Sequence, residues 1–372
     1  MRRTFQYRIY PSKDQQKAMA DKLASCGRLY NAMLEQRQRA YKETGRSPSY
    51  FDQQRELKEV RTLPEYSEIY GHLLQNVARR VDRTFKAFFR RCQSGKKPGY
   101  PRFKKVMAYD SVTYQEPTDD CMKGCVKIVG NRISFSKFAN NVRFFQHRPI
   151  QGTICTVTVK RRGQKWFVLF SCKDVPSNLT SEAGQVGVDV GLTTFATLST
   201  GEEIHNPRFG KLAQQRLATA QRILSRRKKG SNRRYKQRLI VARQHEHVAN
   251  QRRDHAFKTA RGLVERFDFI AVEDLNIQNM VKNRHLARSI SDASWGQFLD
   301  ILESKAQEAG STVVRVNPRN TSQDCSACGA AVPKTLKDRI HKCECGFVAS
   351  RDVNAAKNIL AKGADCAFVE AR

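Results

Sequence analysis

The sequence predicts a chain of two parts: an antiparallel β-barrel carrying a helical insertion, then an α/β domain with a small metal-binding insert. Three observations carry this. Between Cys125 and Cys172 the pattern has period two, with VKIV, RISFSKF, VRFF, TICTVTVKR and KWFVLFSC separated by Gly, Asn and Pro turns. VGVDV and FIAVE are almost uniformly apolar, as buried parallel-type strands are. Two cysteine pairs near the end of the chain have metal-ligand spacing.

Taken in order, Thr4 to Tyr10 opens as a strand, and Pro11-Ser12 then starts a helix with Ser12 as N-cap. Its apolar residues Met19, Leu23, Cys26, Leu29, Tyr30 and Met33 recur at helical spacing up to Gly45. A second helical pattern begins near Tyr50. A third runs from Tyr70 to Phe89, with an apolar row from Leu73 to Phe88 and Arg79, Arg80, Arg83, Lys86, Arg90 and Arg91 on other faces. Acids are scarce there, so the basic face is read as tracking phosphate. Lys96, Lys97, Tyr100, Arg102, Lys104 and Lys105 follow in a proline-broken loop that interleaves base with aromatic, the composition of a nucleic-acid contact. The first strand is expected to join the barrel, giving a barrel of 1–10 and 94–176 with helices 11–93 inserted.

Asp174-Val175-Pro176-Ser177 and the polar stretch to Gly184 mark the boundary. VGVDVGLTTFATLSTGEEIHNP then reads as two strands and a third. Arg208 to Lys258 is helical and carries 16 Lys or Arg against Glu246 and Asp254 alone, an imbalance that i,i+4 pairs cannot neutralise. Arg226, Arg227, Lys228, Lys229, Arg233 and Arg234, at the middle of this pair, are therefore expected to face phosphate. FDFIAVEDL is a buried strand, Ser289 to Gly310 a helix with Asp292 as N-cap, STVVRVNP a strand, and DVNAAKNIL the last helix. The second domain is expected at 184–318 and 350–372, with the insert at 319–349.

The composition points to a polyanionic partner. The 372 residues hold 68 Lys and Arg against 35 acids, a formal charge of +33, which exceeds what solubility asks for. No run of about 18 apolar residues exists to span a membrane. MRRTFQYRIYPS has no apolar core of a signal peptide, so a cytoplasmic, nucleoid-associated protein is expected. The 11 cysteines fit a reducing compartment with one metal site: seven, among them Cys26, Cys92, Cys155 and Cys172, read as packed thiols. Cys121 and Cys125 have no partner pair, which disfavours zinc there.

Three acids stand out. Asp189 interrupts VGVDVG, Glu273 ends the apolar run FIAVE, and Asp352 opens the last helix, where the helix dipole favours an anion. Taken alone, each could be a cap or an edge residue. Together on one sheet they ask for cations, because a buried carboxylate is costly unless paired or metal-bound. Two Mg2+ ions about 4 Å apart, with Mn2+ able to substitute, would activate water and stabilise the leaving oxygen of a phosphodiester. Cys325-x2-Cys328, fourteen residues, then Cys343-x-Cys345 predicts one structural Zn2+ held by four thiolates, with His341 as a substitute should the shortened second knuckle fail to reach.

GVDVGL, AVEDLNIQNM, SISDASWGQF, the two cysteine pairs and SRDVNAAKNIL, in this order, resemble the TnpB family of transposon-encoded RNA-guided DNA endonucleases. YRIYPSKDQQKAMADKLASCGRLYNAML, LLQNVARRV, KKPGYPRFKK and LSRRKKGS extend the likeness over nearly the whole chain. The resemblance implies an RNase H-like (RuvC) nuclease domain with an inserted zinc ribbon, preceded by a wedge-type barrel with a helical recognition insertion. It implies Asp189, Glu273 and Asp352 as Mg2+-binding catalytic residues and the four cysteines as zinc ligands. A guide RNA from the transposon end (omega RNA), one protein per RNA, would direct cleavage of double-stranded DNA beside a short adjacent motif. Tyr50, Gln54, Gln75 and Asn76 would lie near that motif, while base pairing supplies the sequence choice. A DNA-joining transposase and a cleavage-inactive RNA-guided repressor are the alternatives.

Overall fold

The computed structural model describes every residue except 96, 116–124, 178, 336, 337, 371 and 372, and every described side chain except those of 107 and 367–370. It divides into two compact units, Met1–Pro176 and Ser177–Arg372. Among the described residues, no helix is long and apolar enough to cross a membrane.

In the first unit, β1 (Arg3–Tyr10) leads into α1 (Lys13–Thr44), where Ser12 and Gln15 form a reciprocal capping box. α2 (Tyr50–Val60), the single-turn α3 (Pro64–Ser67) and α4 (Gly71–Gln93) follow. Arg37 of α1 ties them together, reaching Gln53 of α2 at 2.8 Å and Asp82 of α4 at 3.5 Å. The strands β2 (Ser111–Gln115), β3 (Val126–Val129), β4 (Arg132–Phe135), β5 (Ala139–Phe145), β6 (Thr153–Arg162) and β7 (Lys165–Lys173) complete an antiparallel sheet ordered β2-β6-β7-β1-β5-β4-β3. Thus β1 lies inside the sheet, and helices and sheet share one apolar core from Phe5 and Ile9 to Leu74, Val81 and Phe170.

The expected barrel is, among the described residues, a curled sheet. Tyr114 of β2 stacks on Phe135 of β4 at 6.2 Å and donates to the Ser136 carbonyl at 3.0 Å, so side chains bring the ends of the sheet together. No backbone ladder joins β2 to β3 among the described residues. Cys121 lies outside those residues, and Cys125 is a buried thiol.

In the second unit, β8 (Gln185–Val190), β9 (Thr194–Leu198), β10 (Glu203–His205), β11 (Phe269–Glu273) and β12 (Thr312–Val316) form a sheet ordered β10-β9-β8-β11-β12. β8, β11 and β12 run parallel; β9 and β10 run antiparallel to their neighbours. Between β10 and β11 stands a helical hairpin, α5 (Phe209–Arg226) and α6 (Asn232–Arg266). α7 (Ile277–Met280), α8 (Ala287–Ala293) and α9 (Trp295–Ala309) lie between β11 and β12. The hairpin β13 (Ile340–Lys342) and β14 (Val348–Ser350) leads into α10 (Arg351–Glu370). One sheet face packs Val186, Val188, Ile270 and Val272 against α6 and α9; the other packs Ala271 and Val316 against Ile359 of α10.

The helix expected from Ser289 to Gly310 is broken at Ser294, whose φ of 57° is left-handed. Asp292 does cap a helix, but a different one. α5 begins without a side-chain cap of its own. Asp292 accepts from the amides of Gly210 and Lys211 at 2.7 and 3.0 Å and from Arg252 of α6 at 2.7 Å, pinning the hairpin. A side chain at 210 would collide, since a Cβ there would stand 2.6 Å from Asp292 Oδ1.

Candidate active site and metal centre

Side chains alternate along a strand. Val186 and Val188 face the α6 and α9 core, so Gly187 and Asp189 face α10; on β11 the same alternation puts Ala271 and Glu273 on the α10 side. Val188 pairs with Val272, which sets Asp189 and Glu273 side by side at the carboxyl ends of parallel strands.

The third acid comes from α10. A Cβ on Gly187 would stand 1.9 Å from the Ala356 carbonyl oxygen, so only glycine lets the helix backbone lie on the strand. Four residues back along a helix is about 6 Å, and two residues along a strand about 6.6 Å. Asp352 therefore reaches the neighbourhood of Asp189, where its charge is felt.

Asp189 is pushed well above the usual carboxylate range, first by burial, then by the charges of Glu273 and Asp352, with Arg351 acting in the opposite sense. Glu273, 9% exposed, is also raised by burial, against a 2.6 Å hydrogen bond from the Thr321 hydroxyl and the charge of Lys362. Asp352 meets Arg351 at 3.2 Å. A buried Asp189 opposed by the charges of Glu273 and Asp352, in a set that offers hard oxygen donors only, suits hard divalent cations.

The four sulfurs of Cys325, Cys328, Cys343 and Cys345 all lie within 4.8 Å of one another, with Cys325–Cys345 at 3.8 Å and Cys328–Cys343 at 3.6 Å. Four thiolates about 2.3 Å from a tetrahedral zinc would be about 3.8 Å apart, so the set fits Zn2+ without rearrangement. Among the described residues no other set of three or more His, Cys, Asp or Glu side chains is gathered as tightly, the three acids included. Gly329 and Gly346 close the knuckles with left-handed φ of 77° and 88°. Both sulfurs of the Cys-x-Cys half belong to this set; His341 stands outside it, buried, with Nδ1 against Lys334 and a hydrogen bond to Cys325.

The last helix holds the ribbon by two asparagines. Asn354 accepts from the Ser326 amide at 2.9 Å, and Asn354 and Asn358 both donate to the Asp324 carbonyl, at 2.8 and 2.7 Å. Together with Thr321 they are site residues that the sequence reading missed. The Asn-x3-Asn spacing of DVNAAKN, one helical face, was the available signal.

Comparison with known proteins agrees in order along the chain. A family described as "Probable transposase" matches residues 169–284, a "Cas12f1-like, TNB domain" matches 295–359, and a "Helix-turn-helix domain" matches 1–46, where the structure has a strand and one unbroken helix. A Streptomyces pristinaespiralis protein named "Putative RNA-guided DNA endonuclease" is 36% identical over 98% of this chain and 90% of its own. The chain belongs to the TnpB family. A second relative, "Putative RNA-guided DNA endonuclease InsQ" of Escherichia coli, is 29% identical over 96% of this chain and 92% of its own. The chain of a solved Cas12f1–sgRNA–target DNA complex shares the fold at a TM-score of 0.58 and 12% identity, covering 96% of this chain and 98% of that one.

In this TnpB chain the candidate nucleic-acid contacts separate into two groups. Arg83, Lys97, Arg102, Lys105, Arg226, Arg227, Lys228, Lys229 and Arg233 are exposed. Gln54 and Gln75 line an open cavity of about 350 Å³ with Phe51, Arg55 and Arg61. Arg79 lies over the ring of Tyr50 at 5.7 Å, and Tyr100 packs edge-on against Phe88 at 5.2 Å. Lys96 lies outside the described residues. Three expected contacts already have partners within the protein, the exposed Lys104 among them. Asn76 is 5% exposed on the core side of α4. Lys104 sits over the Tyr30 ring at 4.5 Å, a cation–π contact. Arg234 donates to the carbonyls of Leu224 and Arg227 at 2.6 and 2.8 Å, clipping the turn between α5 and α6.

Proposed function

We propose that this protein is an RNA-guided DNA endonuclease that hydrolyses phosphodiester bonds with divalent cations held by Asp189, Glu273 and Asp352. The carrying observation is the placing of three acids at the ends of β8 and β11 and the start of α10, where the buried Asp189 feels the charges of both Glu273 and Asp352. The order β10-β9-β8-β11-β12, with three antiparallel strands followed by two parallel ones, supports an RNase H-like reading of 184–318 and 350–372, with 319–349 as its zinc ribbon. The curled sheet and its helices, 1–176, would serve as wedge and recognition parts.

Mg2+ bound there would supply activation of water and neutralise charge on the reacting phosphodiester. The chain's own part is positional. Thr321 orients Glu273, Gly187 admits the helix that carries Asp352, and Asn354 and Asn358 hold that helix to the ribbon. Guide RNA and target DNA, the partners named for the relatives and the solved complex, are polyanions that suit a chain of charge +33.

The test is cleavage of a duplex by protein purified with its RNA. Hydrolysis should require Mg2+ and fall by at least about 10³-fold in Asp189→Asn, Glu273→Gln and Asp352→Asn, with duplex binding retained. Full activity in any variant removes that residue, joined DNA ends would favour a transposase, and the lack of a discrete bound RNA would end the guided reading.

A further inference from the structure

Beside the acids stands one guanidinium that the proposed mechanism has not used. Arg351 directly precedes Asp352 and is fixed from both sides. Its Nε meets Asp352 Oδ1 at 3.2 Å, and an NH group donates to the Asp338 carbonyl of the ribbon at 3.2 Å. Its backbone amide bonds the Arg339 carbonyl at 2.8 Å, so the residue belongs to the ribbon hairpin and the active-site helix at once. The Arg351 and Asp352 side chains are 18% and 28% exposed, shielded but open to a ligand. Lys362, whose charge reaches Glu273, donates to the Arg319 carbonyl at 2.6 Å.

A guanidinium against a carboxylate competes with any divalent cation for that carboxylate. Its planar fork also matches a phosphate, which is what the proposed reaction brings to the same place. We propose that Arg351 is the resident counterion of the acidic site and, once divalent cations take over the carboxylates, turns its guanidinium to the phosphate at the scissile position. Cation loading and substrate holding would then be coupled through one side chain, anchored on the ribbon by its own backbone.

This inference rests on the proposed cation site, so its test reads metal binding apart from cleavage. Mg2+ or Mn2+ binding to the protein–RNA complex is measured by calorimetry for wild type, Asp189→Asn, Arg351→Gln and Arg351→Lys, and cleavage is followed in parallel. Arg351→Gln should bind the cation about 3–10-fold more tightly, the effect of removing one positive charge a few ångströms away in a partly solvated site. It should nonetheless cut at least about 100-fold more slowly. Arg351→Lys should keep the wild-type cation affinity and still cut slowly, because an ammonium lacks the fork. Unchanged or weakened cation binding in Arg351→Gln, or wild-type cutting by either variant, overturns the role of Arg351. Should Arg351→Gln fail to fold, Arg351→Lys decides alone: wild-type cutting refutes the proposal, and slow cutting at unchanged cation affinity supports it. If wild type and Asp189→Asn bind the cation equally, the cation site itself fails, which is a different result.

Discussion

Thr321 contributes one hydroxyl, buried at 2% exposure, and directs it at Glu273. Because a partner that orients a metal ligand matters nearly as much as the ligand, Thr321→Val should lower activity or Mg2+ affinity by about 10–100-fold, read as a shift in Mg2+ titration. Asp189 gives a prediction of opposite sign for stability. Its folded-state pKa is raised, so without cations the protonated form stabilises the fold, and that stabilisation is lost as pH rises above the ordinary carboxylate range. Metal-free Asp189→Asn should therefore melt about 2–4 °C higher than wild type near neutral pH, the shift that ~1 kcal/mol produces in a unit of this size. Added Mg2+ should narrow the gap by stabilising wild type alone; a lower melting point for the variant would contradict the electrostatic account. The acids were legible because a charge inside VGVDV or FIAVE breaks an apolar run. Thr321 was not, since its partner lies 48 residues away and nothing local marks it.

Elements with a strong period could be read from the sequence. α1 shows its buried row from Met19 to Leu34 as a helical repeat, with Ser12 before it and Gly45 after it. The strand β2 was missed, SVTYQ being too short to separate from the loop before it. The break between α8 and α9 was missed because a serine, not a glycine, takes the left-handed position. The partner of Asp292 was hidden for the same reason as that of Thr321: the amides it caps lie 82 and 81 residues away. Asp292→Ala should cost about 1–2 kcal/mol in urea unfolding, a lost cap, and more if Arg252, 25% exposed, finds no other carboxylate. The contact of α10 with β8 is less forgiving. Gly187→Val should cost about 3 kcal/mol or more and remove cleavage with it, since the helix can accommodate a side chain there only by lifting away from the strand.

At the scale of the whole molecule, each unit has an apolar core of its own, from Phe5 to Phe170 in one and from Val186 to Ala306 in the other. Heating should show this directly. Zinc removal, or Cys343→Ser, should lower the transition of 177–372 and leave that of 1–176 in place, since the four sulfurs belong to the second unit alone. The net charge of +33 was plain in the composition, yet the composition could not tell which basic residues are spoken for: Arg234 is held by the fold, while Lys228, Lys229 and Arg233 are exposed. If six to ten of the exposed ones meet phosphate, nucleic-acid affinity should fall by about 10³–10⁵ between 50 and 200 mM salt. Lys228→Ala with Lys229→Ala should flatten that slope by about two.

The pin at Asp292 has a mechanical consequence. The buried residues of α6 run from Val248, at its middle, to Val264, and Arg252 is fastened among them. From Arg252 to the tip at Asn232 the helix runs about 30 Å, a boom clamped at its foot with a cluster of positive charge at its free end. A tilt of only ~5° at the clamp would sweep that end through about 2–3 Å over such a length, so a small repacking around one carboxylate would be felt as a full step of the arm along whatever strand it grips.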